Sequence, residues 1–330
     1  MRQVCIYGAG AVGGFIGAHL ARSGCQVSAV ARADTLSALR RHGLRVQTDN
    51  ELIAQRVVAT DDPSALGVQD LVVVAVKAQS MAQIAPRIPP LIGPRTTVLT
   101  AMNGVPWWFF DGFGGDYAGL RLESVDPDGA IATTIPTKRV VGGVVHGSFA
   151  LNEPGFVHHV FGKKLIIGEP AGGSSERLND LASLLTEAGL EVEMSENIQQ
   201  SIWFKLWGNM TMNPVSALTG ATCDKILDDP LVNRFCLDVM AEASEIGTKI
   251  GCPISQSGEE RNALTRKLGA FKTSMLQDVE AGRSVELDAL VAAVREIGQR
   301  VGVATPNMDA LLGLSRLHAR TRGLYPEQGD

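Results

Sequence analysis

The sequence predicts an α/β protein whose amino-terminal part is a parallel β-sheet and whose carboxy-terminal part is helical. Two apolar runs, Leu71–Val76 and Thr97–Ala101, lack the alternation of a half-exposed strand. Such runs are typical of strands buried on both faces of a parallel sheet. Beyond Ser195 the pattern changes to long helical periodicity. A chain of 330 residues is long enough for two domains, and we predict them at residues 1–195 and 196–330.

The first predicted strand, which ends at Tyr7, runs directly into a loop with the spacing Gly-x-Gly-x-x-Gly. The loop comprises Gly8, Ala9, Gly10, Ala11, Val12 and Gly13. In a dinucleotide fold the first glycine permits a tight turn, the second admits a pyrophosphate, and the third lets helix pack on strand. The next helix, Ala11 to about Ser23, offers its free N–H groups to phosphates. With a second strand at Gln26–Ala31, the pattern predicts a Rossmann-type doubly wound sheet; a glycine-rich turn without a ligand is the alternative.

The end of the second strand indicates which dinucleotide binds. An NAD-binding chain usually carries Asp or Glu there, to accept hydrogen bonds from the ribose. Here the strand ends in Val30-Ala31-Arg32. A guanidinium pairs well with a 2′-phosphate, so Arg32 predicts NADP. Two alternatives stay open, namely a solvated surface arginine and a role for Asp34 as the ribose-binding acid.

Composition argues against several classes of protein. The chain is 45% hydrophobic and 20% charged with a net charge of −5, whereas a nucleic-acid-binding protein needs a basic face. No apolar run reaches the roughly 20 residues of a membrane span, and a strand that begins at Arg2 leaves no room for a targeting peptide. We therefore expect a cytoplasmic protein with neither membrane nor nucleic-acid partners.

The cysteines and histidines predict neither disulfides nor a metal site. The five cysteines are scattered and odd in number, as reduced thiols are. They are Cys5, Cys25, Cys223, Cys236 and Cys252. His146, His158 and His159 lack the spacing of metal ligands, and we interpret them as strand residues.

The remaining elements follow from periodicity and capping signals. A hairpin, a helix and a strand are predicted at Arg139–Phe149 with Gly155–Ile167, Ser175–Ala188 and Leu190–Met194. A polar N-cap followed by proline is typical of a helix start. Asp229-Pro230 begins a helix that reaches about Ile250, and Thr305-Pro306 begins the last one.

One predicted helix, Ile198–Leu218, carries polar residues suited to chemistry. Lys205, Asn209 and Asn213 recur every four residues and therefore share one face. The rest of the helix is largely apolar, and buried polar groups are costly unless they meet partners. A substrate carboxylate and carbonyl would be such partners; a solvated stripe or structural hydrogen bonds are the alternative. Pro214 removes a backbone N–H, so we expect a kink beside the asparagines.

Taken together, these motifs resemble the ketopantoate (2-dehydropantoate) reductase family over nearly the whole chain. Beyond the glycine loop and Arg32, the similar segments are Val76-Lys77, Asn103-Gly104, Lys205–Pro214, Ser274–Asp278, Val285–Asp288 and Gly302–Pro306. The resemblance implies a Rossmann domain and a 6-phosphogluconate-dehydrogenase-like helical domain, with the active site in the cleft between them. It also implies NADPH-dependent reduction of a small 2-keto acid, 2-dehydropantoate to pantoate in pantothenate biosynthesis. A homodimer is compatible with it.

The resemblance also implies a role for each site residue. Lys205 would be the general acid that protonates the carbonyl oxygen, and Glu286 its acidic neighbour near nicotinamide and substrate. Further cofactor contacts would come from Lys77, Asn103, Ala150 and Glu286. Substrate contacts would come from Asn103, Lys205, Asn209, Asn213 and Ser274. Physical chemistry agrees, because hydride addition builds alkoxide charge that a cation or proton donor stabilises, and burial tunes the pKa of lysine.

The chain departs from the family pattern at four places. Cys223 and Phe271 stand where the best-known members carry substrate-contacting asparagines, and Val291-Ala292 replaces the usual Asn-Gly. An extra stretch runs from Pro106 to about Thr137 and contains the four aromatic residues Trp107–Phe110. Successive side chains point in different directions, so we expect part of this cluster to cover the cleft, contact another subunit or pack beneath the extra stretch.

Two other functions stay open. The wider 6-phosphogluconate/3-hydroxyacid dehydrogenase group also pairs a lysine with an asparagine four residues on, although Ser274 and Glu286 argue against it. An NADP-sensing regulatory protein would need only the first domain. Lys205 and Asn209, kept together with those two residues, argue for an enzyme instead.

Overall fold

The computed structural model describes residues 1–327, which form two compact units. The first unit comprises Met1–Met102, Trp108–Phe113 and Asp126–Ser201, and the second comprises Asn103–Trp107, Gly114–Val125 and the chain from Ile202 onward. The predicted division at residue 195 stays a prediction, because the stretch between residues 103 and 125 contributes to both units.

The first unit is built on a mixed sheet, which within residues 1–327 has ten strands. The strands are β1 (Gln3–Tyr7), β2 (Gln26–Val30), β3 (Leu44–Gln47), β4 (Leu52–Gln55), β5 (Val58–Thr60), β6 (Leu71–Val74), β7 (Thr97–Thr100), β8 (Val140–Glu153), β9 (Phe156–Gly168) and β10 (Glu191–Met194). Their order is β4-β3-β9-β8-β7-β6-β1-β2-β5, with β10 beside β9.

The centre of this sheet confirms the predicted Rossmann-type arrangement. β1 lies parallel to both β2 and β6, and β7 continues the parallel series beyond β6. Every residue of β6 and β7 is buried, as their unbroken apolar runs predict. The predicted hairpin is also confirmed, since β8 and β9 pair antiparallel. The short strands β3, β4 and β5 were not predicted, because three or four residues in a polar stretch give no clear alternation.

Helix α1 (Ala11–Arg22) explains why the sheet is curved. It contacts β1 and β2 on one side and β3, β4, β8 and β9 on the other, so the sheet wraps around it as a half-barrel. Gly14 and Gly17 permit this close approach. A Cβ at Gly14 would come within 2.8 Å of the Val157 side chain, and one at Gly17 within 2.8 Å of Ile6. The other helices of this unit are α2 (Ala33–His42), α3 (Met81–Ile84), α4 (Ala130–Thr134) and α5 (Glu176–Glu187).

The second unit is helical, as predicted. Helix α6 (Ile198–Thr219) enters it from the first unit, and a π-helical turn at Asp288–Ala292 leads into the helix that begins at Ala293. The helices that follow α6 are α7 (Cys223–Asp228), α8 (Pro230–Lys249), α9 (Gly258–Arg266), α10 (Ser274–Glu280), α11 (Ala293–Val301) and α12 (Pro306–Arg320). The Asp229 carboxylate accepts from the backbone N–H groups of Leu231 and Val232, which confirms the predicted helix start.

The aromatic run Trp107–Phe110 is wholly buried, with exposed fractions of 7% for Trp107 and 1% or less for the rest. A Cβ on Gly142 would come within 2.5 Å of the Trp108 ring, and the rings of Phe109 and Phe110 meet edge to face at 5.1 Å. The burial of all four side chains fits the expected packing beneath the extra stretch. The chain turns continuously from residue 107 to 112, so neither strand nor helix geometry dictates where these side chains point.

Two carboxylates fix the extra stretch, one in each unit. In the second unit the Glu296 carboxylate accepts from the backbone N–H groups of Glu123 and Ser124, both at 2.9 Å, and from the Ser124 hydroxyl. In the first unit the buried Asp126 accepts from the N–H groups of Ile131 and Ala132 at the start of α4. Each carboxylate satisfies backbone donors that would otherwise be left unpaired.

No helix within residues 1–327 is long and apolar enough to span a membrane.

Candidate active site

The glycine loop has the steric properties that a pyrophosphate-binding turn requires. Gly8 has a φ of +96°, and a Cβ there would come within 2.6 Å of the Val76 side chain. A Cβ at Gly13 would overlap the Gly8 carbonyl oxygen, so α1 starts against β1 only because this residue is glycine. At Gly10, by contrast, a Cβ would meet nothing within 4 Å. The middle glycine therefore leaves open space, as expected where a ligand approaches the backbone.

A cavity of about 460 Å³ opens beside this loop, a size typical of a small-molecule site. Gly8, Ala9 and Gly10 line it at one end, and Arg32 and Arg87 line it too. The lining contains no carboxylate. Asp34, the acid that would have favoured NAD, is exposed and does not line the cavity. The charge distribution thus fits a phosphate-bearing dinucleotide.

Arg87 is a candidate cofactor residue that sequence reasoning missed. It lies 55 positions beyond Arg32 in a short helical turn with no recognisable motif. Its side chain donates to the Asp61 carbonyl oxygen at 2.5 Å, while Arg32 donates to Gln83 Oε1 at 3.2 Å. Burial raises the pKa of Tyr7, and the positive charges of Arg87 and Arg32 offset part of that rise. The buried Tyr7 hydroxyl has no hydrogen-bond partner among the described residues, which suits a polar ligand in the cavity.

The other predicted cofactor residues of the first unit are not among those that line this cavity. Ala11 and Val12 begin α1. Lys77 precedes a 3-10 turn at Ala78–Ser80, just after β6. Ala150 is half-buried in β8, where it pairs with His158 of β9. Their contacts with the cofactor stay predictions.

In the second unit, the Lys205 Nζ donates a hydrogen bond to Asn103 Oδ1 at 2.7 Å. Gly104 makes this pairing possible, because its φ is +83° and a Cβ would come within 2.6 Å of Ala289. The Val105 N–H donates to the Ala289 carbonyl oxygen at 2.9 Å. Asn103 is therefore held against the segment that follows Glu286. That segment is the π-helical turn, a distortion often found at functional sites.

Electrostatics at Lys205 favour a role in proton transfer. Burial lowers the pKa of Lys205 from its ordinary value to about 8, and the Glu286 carboxylate acts in the opposite direction. A lysine with a pKa near neutrality is charged for part of the time and neutral for the rest, so it can donate and recover a proton at physiological pH. Desolvation and the Glu286 carboxylate together produce this state.

The predicted substrate residues differ in how accessible they are. Lys205 and Asn209 are half-buried on α6, whereas Asn213, one turn further along, is buried. Ser274 is the exposed first residue of α10, whose N-cap Thr273 accepts from the N–H of Leu276. Asn209 and Ser274 are therefore the more accessible to a ligand, and Asn213, which is 6% exposed, is the least accessible.

Two of the departures from the family pattern lie together. The Cys223 N–H donates to the Phe271 carbonyl oxygen at 3.0 Å. Burial raises the pKa of the Cys223 thiol to about 11, and Asp224 adds to that effect. Cys223 is therefore a neutral, weakly polar side chain. At these two positions the chain has a cysteine and a phenylalanine, neither of which carries a side-chain amide.

Within the described residues, no group of three or more histidine, cysteine or acidic side chains could hold a metal ion.

This chain combines a Rossmann-type unit that has a phosphate-suited cavity with a helical unit that contains Lys205, Asn103 and Glu286. These features place it among the nicotinamide-dinucleotide-dependent oxidoreductases. Within that class, this chain belongs to the ketopantoate reductase family. Residues 4–108 match the model described as "Ketopantoate reductase PanE/ApbA", and residues 197–319 match its carboxy-terminal counterpart. A 2-dehydropantoate 2-reductase from Mesorhizobium japonicum is 44% identical over 324 residues, covering 98% of this chain and 99% of that protein.

Solved structures show the same fold. A candidate ketopantoate reductase from Ralstonia solanacearum superposes with a TM-score of 0.94 at 59% identity, covering 98% of this chain and all of that one. The 2-dehydropantoate 2-reductase from Geobacter metallireducens gives a TM-score of 0.84 at 27% identity, covering 96% and 99%. The Rossmann-type fold with a helical second part is thus shared with proteins of this family.

Proposed function

We propose that this chain is an NADPH-dependent 2-dehydropantoate 2-reductase, which reduces ketopantoate to pantoate in pantothenate biosynthesis. The observation that carries the proposal is the state of Lys205, which is hydrogen-bonded to Asn103 and has a pKa of about 8. A regulatory NADP sensor has no use for a lysine in this state. Relatives named for this activity cover almost the entire chain, with identities of 44% and 27%.

The chemistry assigned to each residue follows from its position. When bound, NADPH supplies a hydride to the keto carbon. Lys205 donates a proton to the carbonyl oxygen as negative charge develops there. Asn103 fixes the direction of the Lys205 ammonium by accepting one of its three N–H groups. Glu286 keeps the pKa of Lys205 from falling further, so that more of the lysine is protonated at neutral pH.

The remaining residues bind and orient. We assign the glycine loop, Arg32, Lys77, Asn103, Ala150 and Glu286 to the cofactor, and Asn103, Lys205, Asn209, Asn213 and Ser274 to the substrate. Residues 1–195 would then carry the cofactor domain and 196–330 the substrate domain. The open position at Gly10 and the two arginines beside the cavity support the cofactor assignment.

A second candidate is the reduction of a 2-keto acid more apolar than ketopantoate. The observation that favours it is the pair Cys223 and Phe271, which a backbone hydrogen bond joins and whose side chains offer no amide to a substrate hydroxyl. A site that lacks such a donor rejects a hydroxylated substrate only weakly. The two candidates therefore differ in side-chain preference and share one reaction.

The test is an NADPH-oxidation assay of the purified protein with ketopantoate and a panel of branched and aromatic 2-keto acids. The proposal expects turnover with ketopantoate, and a loss of about 10²–10⁴ in kcat for Lys205→Ala. Higher kcat/KM for an apolar keto acid would favour the second candidate. Absence of turnover with every 2-keto acid would contradict both. Light scattering of the same preparation tests the predicted homodimer.

A further inference from the structure

Arg261 of α9 holds its guanidinium against helix α6. Its Cζ lies 5.3 Å from the centroid of the Phe204 ring. One turn further along α6 lies Gly208, where a Cβ would come within 2.8 Å of Arg261 Nε and 3.0 Å of Nη2. The guanidinium therefore occupies space that any larger side chain at position 208 would fill, which explains why a glycine stands within this helix.

Among the described residues this guanidinium has no counter-ion. Within residues 1–327 no carboxylate forms an ion pair with Arg261, and its buried Nε has no hydrogen-bond partner. Burial lowers the pKa of Arg261. Arg261 as a whole is half-buried. Leaving a cation unpaired and partly removed from water is costly, and one contact with an aromatic face recovers only part of that cost. Such an arrangement is expected where a ligand brings the missing anion.

The position of Arg261 on α6 indicates which ligand. Between residues 202 and 209 of α6, buried and half-exposed pairs of residues alternate. The half-exposed pairs are Phe204 with Lys205 and Gly208 with Asn209. The buried residues between them are Ile202, Trp203, Leu206 and Trp207. The two half-exposed pairs form the open side of the helix. Arg261 lies against one half of it, and Lys205 and Asn209 occupy the adjoining half.

We propose that Arg261 binds the carboxylate of the 2-keto acid substrate and that the missing side chain of Gly208 leaves room for the Arg261 guanidinium. This inference rests on the proposed function. A 2-keto acid carries its carboxylate on the carbon next to the carbonyl, so the anion must bind close to the group that protonates the carbonyl oxygen. Lys205 and Gly208 are three residues apart, a rise of about 4.5 Å along the helix. The guanidinium supplies charged donors that a neutral asparagine or serine does not.

The decisive experiment compares two substrates in Arg261→Ala, one the keto acid and the other its neutral methyl ester. Loss of a charge-assisted contact should raise KM for the acid about ten- to a hundredfold. kcat should change by only a few-fold, and kcat/KM for the ester should stay near that of the wild type. NADPH affinity, measured by fluorescence titration, should be unchanged. Arg266→Ala, on the same helix but exposed and paired with Asp228, is the matched control.

A second variant guards against misfolding. Gly208→Ala keeps the arginine in the chain but fills the space that its guanidinium occupies and so displaces it, and alanine favours a helix more than glycine does. It should reproduce the rise in KM for the acid, and the double variant should be no worse than the more affected single one. Unchanged KM in both single variants, or equal losses for acid and ester, would overturn the role of Arg261. A wild type that reduces no 2-keto acid would overturn the proposed function itself.

Discussion

Lys205 and Asn103 are 102 positions apart in the chain, yet the lysine Nζ lies 2.7 Å from the asparagine Oδ1. The amide oxygen accepts from the ammonium without adding charge, so it orients Lys205 and leaves the pKa to burial and to Glu286. Orientation and proton affinity of the proposed acid are thus set by different residues, and each can be changed separately.

The pH profile of reduction should show the pKa of Lys205. Because the protonated lysine is the proposed donor, kcat/KM should be constant below pH 8 and fall as pH rises through a pKa of about 8. Glu286→Gln removes the carboxylate that raises this pKa, so the decline should begin at lower pH. Initial rates between pH 6 and 10 would check this, and a decline that moves to higher pH in the variant would contradict the assignment.

Asn103→Asp should shift the decline of kcat/KM to higher pH. A carboxylate within hydrogen-bond distance stabilises the charged lysine and raises its pKa. Asn103→Ala removes the orienting hydrogen bond without adding charge. It should therefore lower kcat and leave the pH at which kcat/KM declines nearly unchanged. Identical pH profiles in the two variants would show that Asn103 does not contact Lys205 in the working enzyme.

Cofactor preference should depend on Arg32. Arg32→Ala should weaken NADPH binding about ten- to a hundredfold, the value of one charge-assisted phosphate contact, and affect NADH far less. Arg87→Ala should act in the same sense if both guanidinium groups of the cavity face the phosphate. Titration of both cofactors into each variant is the measurement, and equal losses for NADPH and NADH would refute a role at the 2′-phosphate.

The aromatic run should matter for stability rather than for substrate choice. Trp108→Ala removes a side chain that is 1% exposed and should cost about 3–5 kcal/mol of unfolding free energy. The ranking of keto-acid substrates should stay the same. Leu231→Ala, at a leucine that is 82% exposed, should change stability by less than about 0.5 kcal/mol. An altered ranking in a stably folded Trp108→Ala protein would place the ring at the substrate after all.

The Glu296 carboxylate should hold residues 114–125 in place. Glu296→Gln keeps the shape but weakens the bonds to two backbone N–H groups and the Ser124 hydroxyl, so amide exchange there should accelerate. Exchange around Ile131, capped by Asp126 instead, serves as the internal reference. Uniform acceleration at both places would indicate global destabilisation.

Local pattern was enough to predict the parts of the fold whose physics is local. The glycine loop, the buried strands β6 and β7 and the face of α6 with Lys205 follow from spacings of two to eight residues. Asp229-Pro230 likewise marks the start of α8, because capping depends on adjacent residues.

The rest depends on contacts between residues far apart in sequence. Nothing near Arg87 indicates that it lines the same cavity as Arg32. In the sequence Gly208 is only a residue of low helix propensity, and its contact with Arg261 is visible only in the structure. The packing of the aromatic run could not be chosen from its own sequence, because it depends on Gly142, which lies more than 30 positions away.

The backbone bond from Val105 to Ala289 has a consequence for how such proteins can be recombined. A gene cut at a single point near codon 195 would leave residues 103–107 on one fragment and their hydrogen-bond partner on the other. Residues 114–125 would likewise be parted from Glu296. Chimaeras of two homologues should therefore fold well only when these short amino-terminal stretches come from the same parent as the helical unit.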